Sequence, residues 1–328
     1  MRVDVIIATY NRAAMLDAAL RSVLHQELGD LSVRVIVVDN GSTDGTRDAV
    51  QRLSVPSHLA VRCVVEHEKG VAHARNRGLR ESTADWLAFL DDDEIADPRW
   101  LGELLSAATA SGASCVGGRV VLDGDPGVRR LGPFCRALLG ETPGGEAPSP
   151  FRGKSLPGTG NVLFHRSVLE RIDPFDPSLV HGAEDSDFFG RLRDAGVPAW
   201  FAPRARIVHR VPRYRTTPEY LLWVAARHGA SSALLDLKRH GRRRVFRDAL
   251  LRAGEAAAIT VPAGLLATVA GNAGVVLDAR CRLARAVGYE RQVLRIVAPR
   301  ALSQRAFVDR LEFRAEGKRF GREGTAPP

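Results

Sequence analysis

The chain has 328 residues, 45% of them hydrophobic and 26% charged, which suits a folded protein with a sizeable core and excludes wholesale disorder. Its net charge of +9 raises the question of a polyanionic partner, but only 6% of residues are aromatic and no nucleic-acid-binding motif is present, so nucleic acid is excluded as a partner. Four cysteines (Cys63, Cys115, Cys135, Cys281) stand far apart without a CxxC pair, which excludes a zinc site and a disulfide framework and fits structural thiols in a reducing compartment.

A strand-like run at residues 3–8 begins almost at once, with no apolar h-region or cleavage site before it, so a cytoplasmic active site is expected. Further strands are expected at 33–39, 59–66, 86–90 and 115–122, and helices at 13–25, 43–53, 71–82 and 99–111. In the first helix Leu16, Leu20, Val23 and Leu24 share one face. This alternation predicts an α/β fold, a mostly parallel sheet with helices on both faces. Residues 123–157, rich in Gly and Pro, read as a long loop of functional kind. A strand at 160–165, a short helix at 167–172 and a helix at 183–195 follow, and helical pattern dominates from residue 218. The polar end, 316–328, is expected to fray.

Sheets of this kind bind ligands beyond the carboxyl ends of their strands. Three polar clusters fall there: Thr9-Tyr10-Asn11-Arg12, Asp39-Asn40-Gly41-Ser42 and Asp91-Asp92-Asp93. The last is followed by Glu94, and carboxylates so close together repel unless a cation neutralises them. A hard divalent ion held by one or two carboxylates, waters and substrate phosphates does this. Asp97 is expected to cap the next helix with Pro98 at its first position, which leaves Asp91 to Asp93 unexplained by capping. Neither a P-loop nor a GxGxxG after a strand occurs, which argues against a kinase and a dinucleotide oxidoreductase.

Taken in order, Ile6-Ile7-Ala8-Thr9-Tyr10-Asn11-Arg12, Val37-Val38-Asp39-Asn40-Gly41-Ser42-Thr43-Asp44, Gly70-Val71-Ala72-His73-Ala74-Arg75-Asn76-Arg77-Gly78 and Phe89-Leu90-Asp91-Asp92-Asp93 resemble the successive motifs of family 2 glycosyltransferases. The resemblance covers about residues 1–215. It is nearest to the bacterial enzymes of succinoglycan-type exopolysaccharide assembly, which share the Gly182-Ala183-Glu184-Asp185 signature and an appended helical tail.

The resemblance implies a GT-A fold and inverting transfer of a hexose from a nucleotide sugar, expected to be a UDP-hexose. Thr9, Tyr10, Asn11, Arg12 and Asp39 would hold the uridine, with Asp39 accepting from the uracil N–H while Asn40-Gly41 makes the turn. Arg75 would lie near the donor, Asp91 would support the turn, Asp92 would face ribose, and Asp93 would bind Mg2+ or Mn2+. His209 falls where many relatives complete the metal site, although an ordinary strand histidine fits equally. Arg210 and Arg213 are candidates for balancing diphosphate charge, or solvated surface charges. Asp185 matches the general base, with Glu184 beside it toward the acceptor. The alternative for both is a helix start with acids in its first turn. Gly158, Thr159, Gly160 and Asn161 resemble the acceptor loop, where backbone approaches sugar closely.

The implied organisation is a catalytic domain at 1–215, with a donor half at 1–122 and an acceptor half at 123–215, then a helical region at 216–312 and a flexible tail at 313–328. Residues 256–277 carry no charge and lie between a run at 238–252 with seven Lys/Arg and Arg280, Arg282 and Arg285. Rich in Ala and Gly and holding Pro262 and Asn272, the segment reads as a membrane-surface or re-entrant helix hairpin, against a soluble helix packed on the catalytic domain. The partners expected are thus a nucleotide sugar, a saccharide or lipid-linked saccharide acceptor, and the cytoplasmic membrane surface. Competing readings are a transferase acting on a soluble secondary metabolite and a non-catalytic nucleotide-sugar-binding protein; Asp93 and Asp185 argue against the latter.

Overall fold

A computed structural model describes residues 1–298, apart from 143, 154, 180 and 181. The tail expected to fray, 316–328, lies outside the described residues, as does the end of the helical region.

The first half alternates as the periodicity predicts: β1 Arg2–Thr9, α1 Ala13–Leu24, β2 Ser32–Asp39, α2 Thr46–Gln51, β3 Ala60–Val65, α3 Val71–Glu81 and β4 Trp86–Leu90. There follow β5 Glu94–Ala96, α4 Trp100–Ser111, β6 Cys115–Gly124, α5 Pro133–Leu138, β7 Ser149–Pro150, β8 Asn161–His165, α6 Glu184–Asp194 and β9 Ala199–Val211. The strands form one sheet in the order β3-β2-β1-β4-β8-β6-β9-β5, with β7 also against β9. Strands β1 to β4 are parallel; β8 runs against both of its neighbours, and β5 runs against β9.

Successive side chains of a strand point to opposite faces, so each buried strand serves two cores. On one face Val3, Val5 and Ile7 pack with Leu16, Leu20, Trp100 and Leu101 of α1 and α4. Across the sheet Ile6, Ile36, Val38 and Phe89 pack with Leu79 of α3 and with Phe188, Phe189 and Leu192 of α6. Burying each such side chain contributes about 1.5–3 kcal/mol, which fixes the strand register and therefore what each strand end presents.

Two local expectations are corrected. Helix α4 starts at Trp100 rather than Pro98, because Asp97 closes a turn first: its carboxylate accepts the Arg99 N–H at 3.2 Å and its carbonyl the Trp100 N–H at 2.9 Å. The 123–157 stretch is not a bare loop. It contains a 3-10 turn at Pro126–Arg130, helix α5 and the short strand β7.

Past a 3-10 turn at Arg213–Thr216, helix α7 (Pro218–Glu255) begins with a Thr217 cap and breaks at Gly241 (φ 74°). It leads through a π-helical turn at Ala256–Thr260 into α8 (Val261–Val269), and the chain reverses into α9 (Ala273–Val297). The part of α7 before the break packs on α9 at glycine-permitted distance. A Cβ at Gly288 would lie 2.0 Å from the Ala226 carbonyl oxygen, and one at Gly229 2.0 Å from that of Arg285. After the break the chain runs back along α9, with Val245 and Ala249 beside Tyr289 and Val293. The bundle is tied to the sheet half at α5, where Asp278 accepts the Phe134 and Cys135 N–H groups at 3.0 and 2.9 Å. It is tied again at α6, where the fully buried Asp187 meets Lys238 at 3.3 Å and Arg239 at 3.7 Å.

Candidate active site

A cavity of about 550 Å³ opens beyond the carboxyl ends of β1, β2 and β4. Thr9, Tyr10, Arg12, Arg75, Asp91 and Asp92 of the expected donor set line it, joined by Asn40 and Lys69. Lys69 carries no signal of its own in the sequence, since it precedes the Gly70 motif. It donates to the Asn40 and Gly41 carbonyls at 2.8 and 2.9 Å and stands 4.4 Å from the centre of the Tyr10 ring. The Asn40 amide holds the next loop, donating to the Glu66 and Glu68 carbonyls and accepting the Gly70 N–H at 2.8 Å.

Two of the expected donor residues do not line this cavity. Asn11, at φ +54°, works as a latch: its N–H donates to Ser42 Oγ at 2.9 Å and its Oδ1 accepts the Thr43 N–H at 2.7 Å. Asp39 is fully buried, and its Oδ1 accepts the Ser42 N–H at 2.7 Å. Among the described residues its Oδ2 has no hydrogen-bond partner, although Arg47 Nε lies 3.4 Å away. A buried acceptor without a donor is the kind of group an incoming N–H satisfies.

The acidic run separates into distinct environments. Asp92 accepts from Thr9 Oγ1 at 2.8 Å and Arg12 Nη1 at 2.7 Å. Burial raises its pKa and the neighbouring Asp93 adds to the rise, so that Arg12 offsets only part of it. Asp93 is buried too, which alone would raise its pKa, but the guanidiniums of Arg12 and Arg215 beside it hold it well below the usual carboxylate range. Asp91 is more open and meets Arg75 Nη2 at 3.2 Å. Glu94 turns inward to accept the Asp91 N–H at 3.1 Å, and burial together with Asp91 and Asp93 pushes its pKa well up.

Strand β5 brings Asp93 to His209, because Glu94 pairs in register with His209 on β9 and Asp93 O accepts the Arg210 N–H at 3.1 Å. His209 Nδ1 lies 2.8 Å from the Leu139 carbonyl oxygen, which can only accept, so Nδ1 carries the proton of the neutral ring. Its Nε2 lone pair then faces Asp93 Oδ2 at 3.6 Å. One carboxylate oxygen and one imidazole nitrogen facing each other fit a divalent ion that takes its remaining ligands from water and phosphate. Among the described residues no cluster of three or more such side chains occurs. Arg215 Nη1 stands between the pair, 3.2 Å from Asp93 and 3.1 Å from His209 Nε2. Arg210 and Arg213, for which balancing diphosphate charge and a solvated surface position were both open, are exposed. Arg215 lies in no recognisable motif and is found only through the fold.

Opposite, the turn before α6 puts Gly182 at φ +98° and Ala183 at φ +76°. An alanine there costs about 1–2 kcal/mol and persists because the surroundings fix it. This turn sets Glu184 against Arg75 Nη1 at 2.6 Å. Burial raises the Glu184 pKa, with Arg75 opposing and Asp185 reinforcing the rise. Arg75 is itself 5% exposed and bridges Asp91, at the cavity, to Glu184, at the start of α6, with the charge of Asp185 also acting on it. Asp185 remains half-exposed and accepts the Ser186 N–H at 2.6 Å.

In the expected acceptor loop Gly158 is exposed and Thr159 is buried, and Gly160 lies so close to Glu94 that a Cβ would come within 2.4 Å of its carboxylate. Asn161 departs from the acceptor role expected of it. It is 2% exposed, takes the Trp100 indole N–H at 2.8 Å and donates to the Arg119 and Ala205 carbonyls at 3.0 Å each. These bonds make it a frame residue between α4, β6 and β9.

Comparison with known proteins gives the geometry its setting. The family described as "Glycosyl transferase family 2" matches residues 4–172. The succinoglycan biosynthesis protein ExoM of Rhizobium meliloti is 32% identical over 76% of this chain and 80% of its own length. The glycosyltransferase AglE of Haloferax volcanii is 30% identical over 61% of this chain, a match covering 64% of that protein. A validoxylamine A glucosyltransferase of Streptomyces hygroscopicus subsp. jinggangensis is 37% identical over 60% of this chain and 52% of its own length. Among solved structures, the mannosyltransferase PcManGT from Pyrobaculum calidifontis, in complex with GDP-Man and Mn2+, superposes with a TM-score of 0.58 at 24% identity, covering 88% of this chain and 86% of that one. S. aureus TarS 1-349 in complex with UDP gives 0.52 at 14% identity, covering 92% of each chain. The sheet with helices on both faces is therefore a GT-A fold, and the chain belongs to glycosyl transferase family 2.

Proposed function

We propose that the protein moves a hexose from a UDP-sugar to a hydroxyl of a lipid-linked saccharide, with inversion, in cell-surface polysaccharide synthesis at the cytoplasmic face of the membrane. The observation that carries this reading is Arg75, one buried guanidinium joining the Asp91 side of the donor cavity to Glu184, whose neighbour is Asp185. Donor and base are thereby held in one rigid frame. The name of ExoM supports the polysaccharide context, and the nucleotide complexes of PcManGT and TarS support a nucleotide-sugar donor.

In this reading Tyr10, Asp39 and Lys69 receive the nucleoside, and Asp92 faces the ribose. Asp93 and His209 are the side chains that would hold Mg2+ or Mn2+. A divalent ion bound there supplies charge neutralisation for the departing diphosphate. Asp185 takes the proton from the acceptor hydroxyl as that oxygen attacks the anomeric carbon from the side opposite the diphosphate. The bond from the anomeric carbon to the phosphate oxygen breaks, its electron pair leaves with the nucleoside diphosphate, and the configuration inverts. Arg12 and Arg215, already gathered at Asp93, lie where the diphosphate charge develops. The Gly158 to Gly160 loop and Glu184 border the acceptor.

The test is UDP release from a panel of UDP-sugars with a lipid-linked saccharide as acceptor. Asp185→Asn should lower turnover by about 10²- to 10⁴-fold while UDP affinity by calorimetry stays at the wild-type value. Undiminished turnover would refute the base assignment. The similarity to a validoxylamine A glucosyltransferase favours a second reading, a soluble hydroxylated acceptor. Turnover on validoxylamine A and none on the lipid-linked saccharide would decide for it.

A further inference from the structure

The far side of the helical bundle carries a surface that the reaction does not use. From the Gly241 break the chain returns along α9, so the second part of α7, the π turn and α8 form one arm packed by a narrow seam. Ala256, Thr260 and Ala267 face inward. Outward stand Leu250, Leu251, Ile259, Leu265, Leu266 and Val269, with exposures from 63% at Leu251 to 89% at Val269. The most apolar 18-residue window of Pro218–Val269 has a mean hydropathy of 1.3 and is 11% buried. Contiguous exposed apolar surface of this kind marks a contact site.

Charge and direction say which contact. Exposed Arg242, Arg243 and Arg244 stand at the start of the arm, and the arm is free of charge from residue 256 to the turn at 270–272. Beyond that turn Gly274 lies against the Arg130 carbonyl, so the exposed Arg129 and Arg130 flank the other end. An apolar strip with basic ends is complementary to a leaflet of apolar chains under anionic headgroups. The arm as a whole is long and apolar enough to cross a bilayer, but Arg247, Asp248, Arg252 and Glu255 interrupt it. Its uncharged part from 256 to 269 spans only about 21 Å as a helix, short of the roughly 30 Å hydrocarbon core, before the chain reverses.

We propose that the arm formed by residues 242–269 lies in the headgroup layer of an anionic membrane, inserting Leu250, Leu251, Ile259, Leu265, Leu266 and Val269. The docked arm also fixes where the active site stands. Its turn abuts the 3-10 turn that leads into α5, and the residue closing α5, Leu139, holds His209 of the site. Docking of the arm would thus hold the His209 corner of the site at a fixed place relative to the lipid surface, where an acceptor could be anchored. That consequence for the acceptor rests on the function proposed above; the docking itself does not.

The experiment is flotation of the full chain with vesicles of phosphatidylcholine alone and vesicles containing about a third phosphatidylglycerol. Wild type is expected to float with the anionic vesicles at least about tenfold better than with the neutral ones, and to be released by salt. The double variant Leu265→Asp/Leu266→Asp should lose at least about tenfold of this binding, because it charges the inserted face. Arg242→Glu/Arg243→Glu should lose the preference for anionic lipid. Neither pair lies in the catalytic machinery, so UDP-sugar hydrolysis without lipid should match wild type in both, which also shows that they fold. Wild type remaining with the supernatant under all compositions overturns the proposal. So does a concentration-dependent dimer that Leu265→Asp/Leu266→Asp dissolves while vesicles bind nothing, because the face then belongs to a second copy. Absence of transferase activity would sink the function proposed above and leave the flotation result standing.

Discussion

Replacing Arg75 by methionine should destabilise the fold far more than removing an ordinary surface charge does. Arg75 and Glu184 are 5% and 6% exposed, and their contact is 2.6 Å. Removing one partner of such a pair leaves the other buried and uncompensated, at a cost of about 3–5 kcal/mol. Glu184→Gln removes the stranded charge, so Arg75→Met/Glu184→Gln should recover part of the loss and show a coupling of about 2–3 kcal/mol in a double-mutant cycle. The assay is urea unfolding followed by circular dichroism, with Arg21→Ala, whose partner Asp17 is exposed, as a control expected to match wild type. The pH dependence has a definite sign. Without Arg75 the already raised Glu184 pKa rises further, so the loss is largest above that pKa and shrinks as pH falls through it and the carboxyl becomes neutral. A cost below about 1 kcal/mol for Arg75→Met, or strict additivity of the cycle, would refute the picture of a shared buried ion pair.

Asp4 gives a second pH signature: burial alone would raise its pKa, but Arg34, Ser82 and the Thr83 N–H hold it below its ordinary 3.8. Its contribution is fully present above that unfolded value and lost as pH falls through the depressed folded one, so acid titration of Asp4→Asn should lack this part of the wild-type acid limb, with a loss of about 1–3 kcal/mol at neutral pH. Gly288→Ala forces a Cβ onto the Ala226 carbonyl and should cost about 1–3 kcal/mol, read as lowered thermal stability and faster proteolysis of the bundle. Arg215→Ala removes the cation standing between Asp93 and His209, so Mn2+ titrated in the absence of nucleotide should bind at least about fivefold more tightly, while UDP binds more weakly; weaker Mn2+ binding would contradict the assigned metal pair.

Much of the cavity side was readable from the chain because its strands are buried on both faces. Val3, Val5 and Ile7 against Ile6 fill two cores at once, so a β-branched run ending in polar residues is both a strand and a pointer to the site. The helix at 71–82 emerges as α3, nearly to the residue, from the spacing of its small apolar side chains. The Asp93–His209 corner was less readable. Strand β9 has three residues, 203–205, unmatched by β6, which breaks its alternation, and β5 is three residues long and acidic at its start. No local pattern announces that these two pair, and that pairing brings His209 and Arg215 to Asp93. Asn161 misleads for a related reason: a buried amide that crosslinks three elements has the same sequence context as one facing a sugar.

The arginines and carboxylates around the Asp91 to Asp93 turn behave as an ion exchanger already loaded with its own counterions. Arg12, Arg75 and Arg215 are matched by Asp91, Asp92, Asp93 and Glu184. A diphosphate arriving alone must draw arginines away from carboxylates, and a cation arriving alone must draw carboxylates away from arginines. Arriving together, each releases the partner that the other takes. On the function proposed above, nucleotide and divalent ion are therefore expected to raise one another's affinity by the same factor.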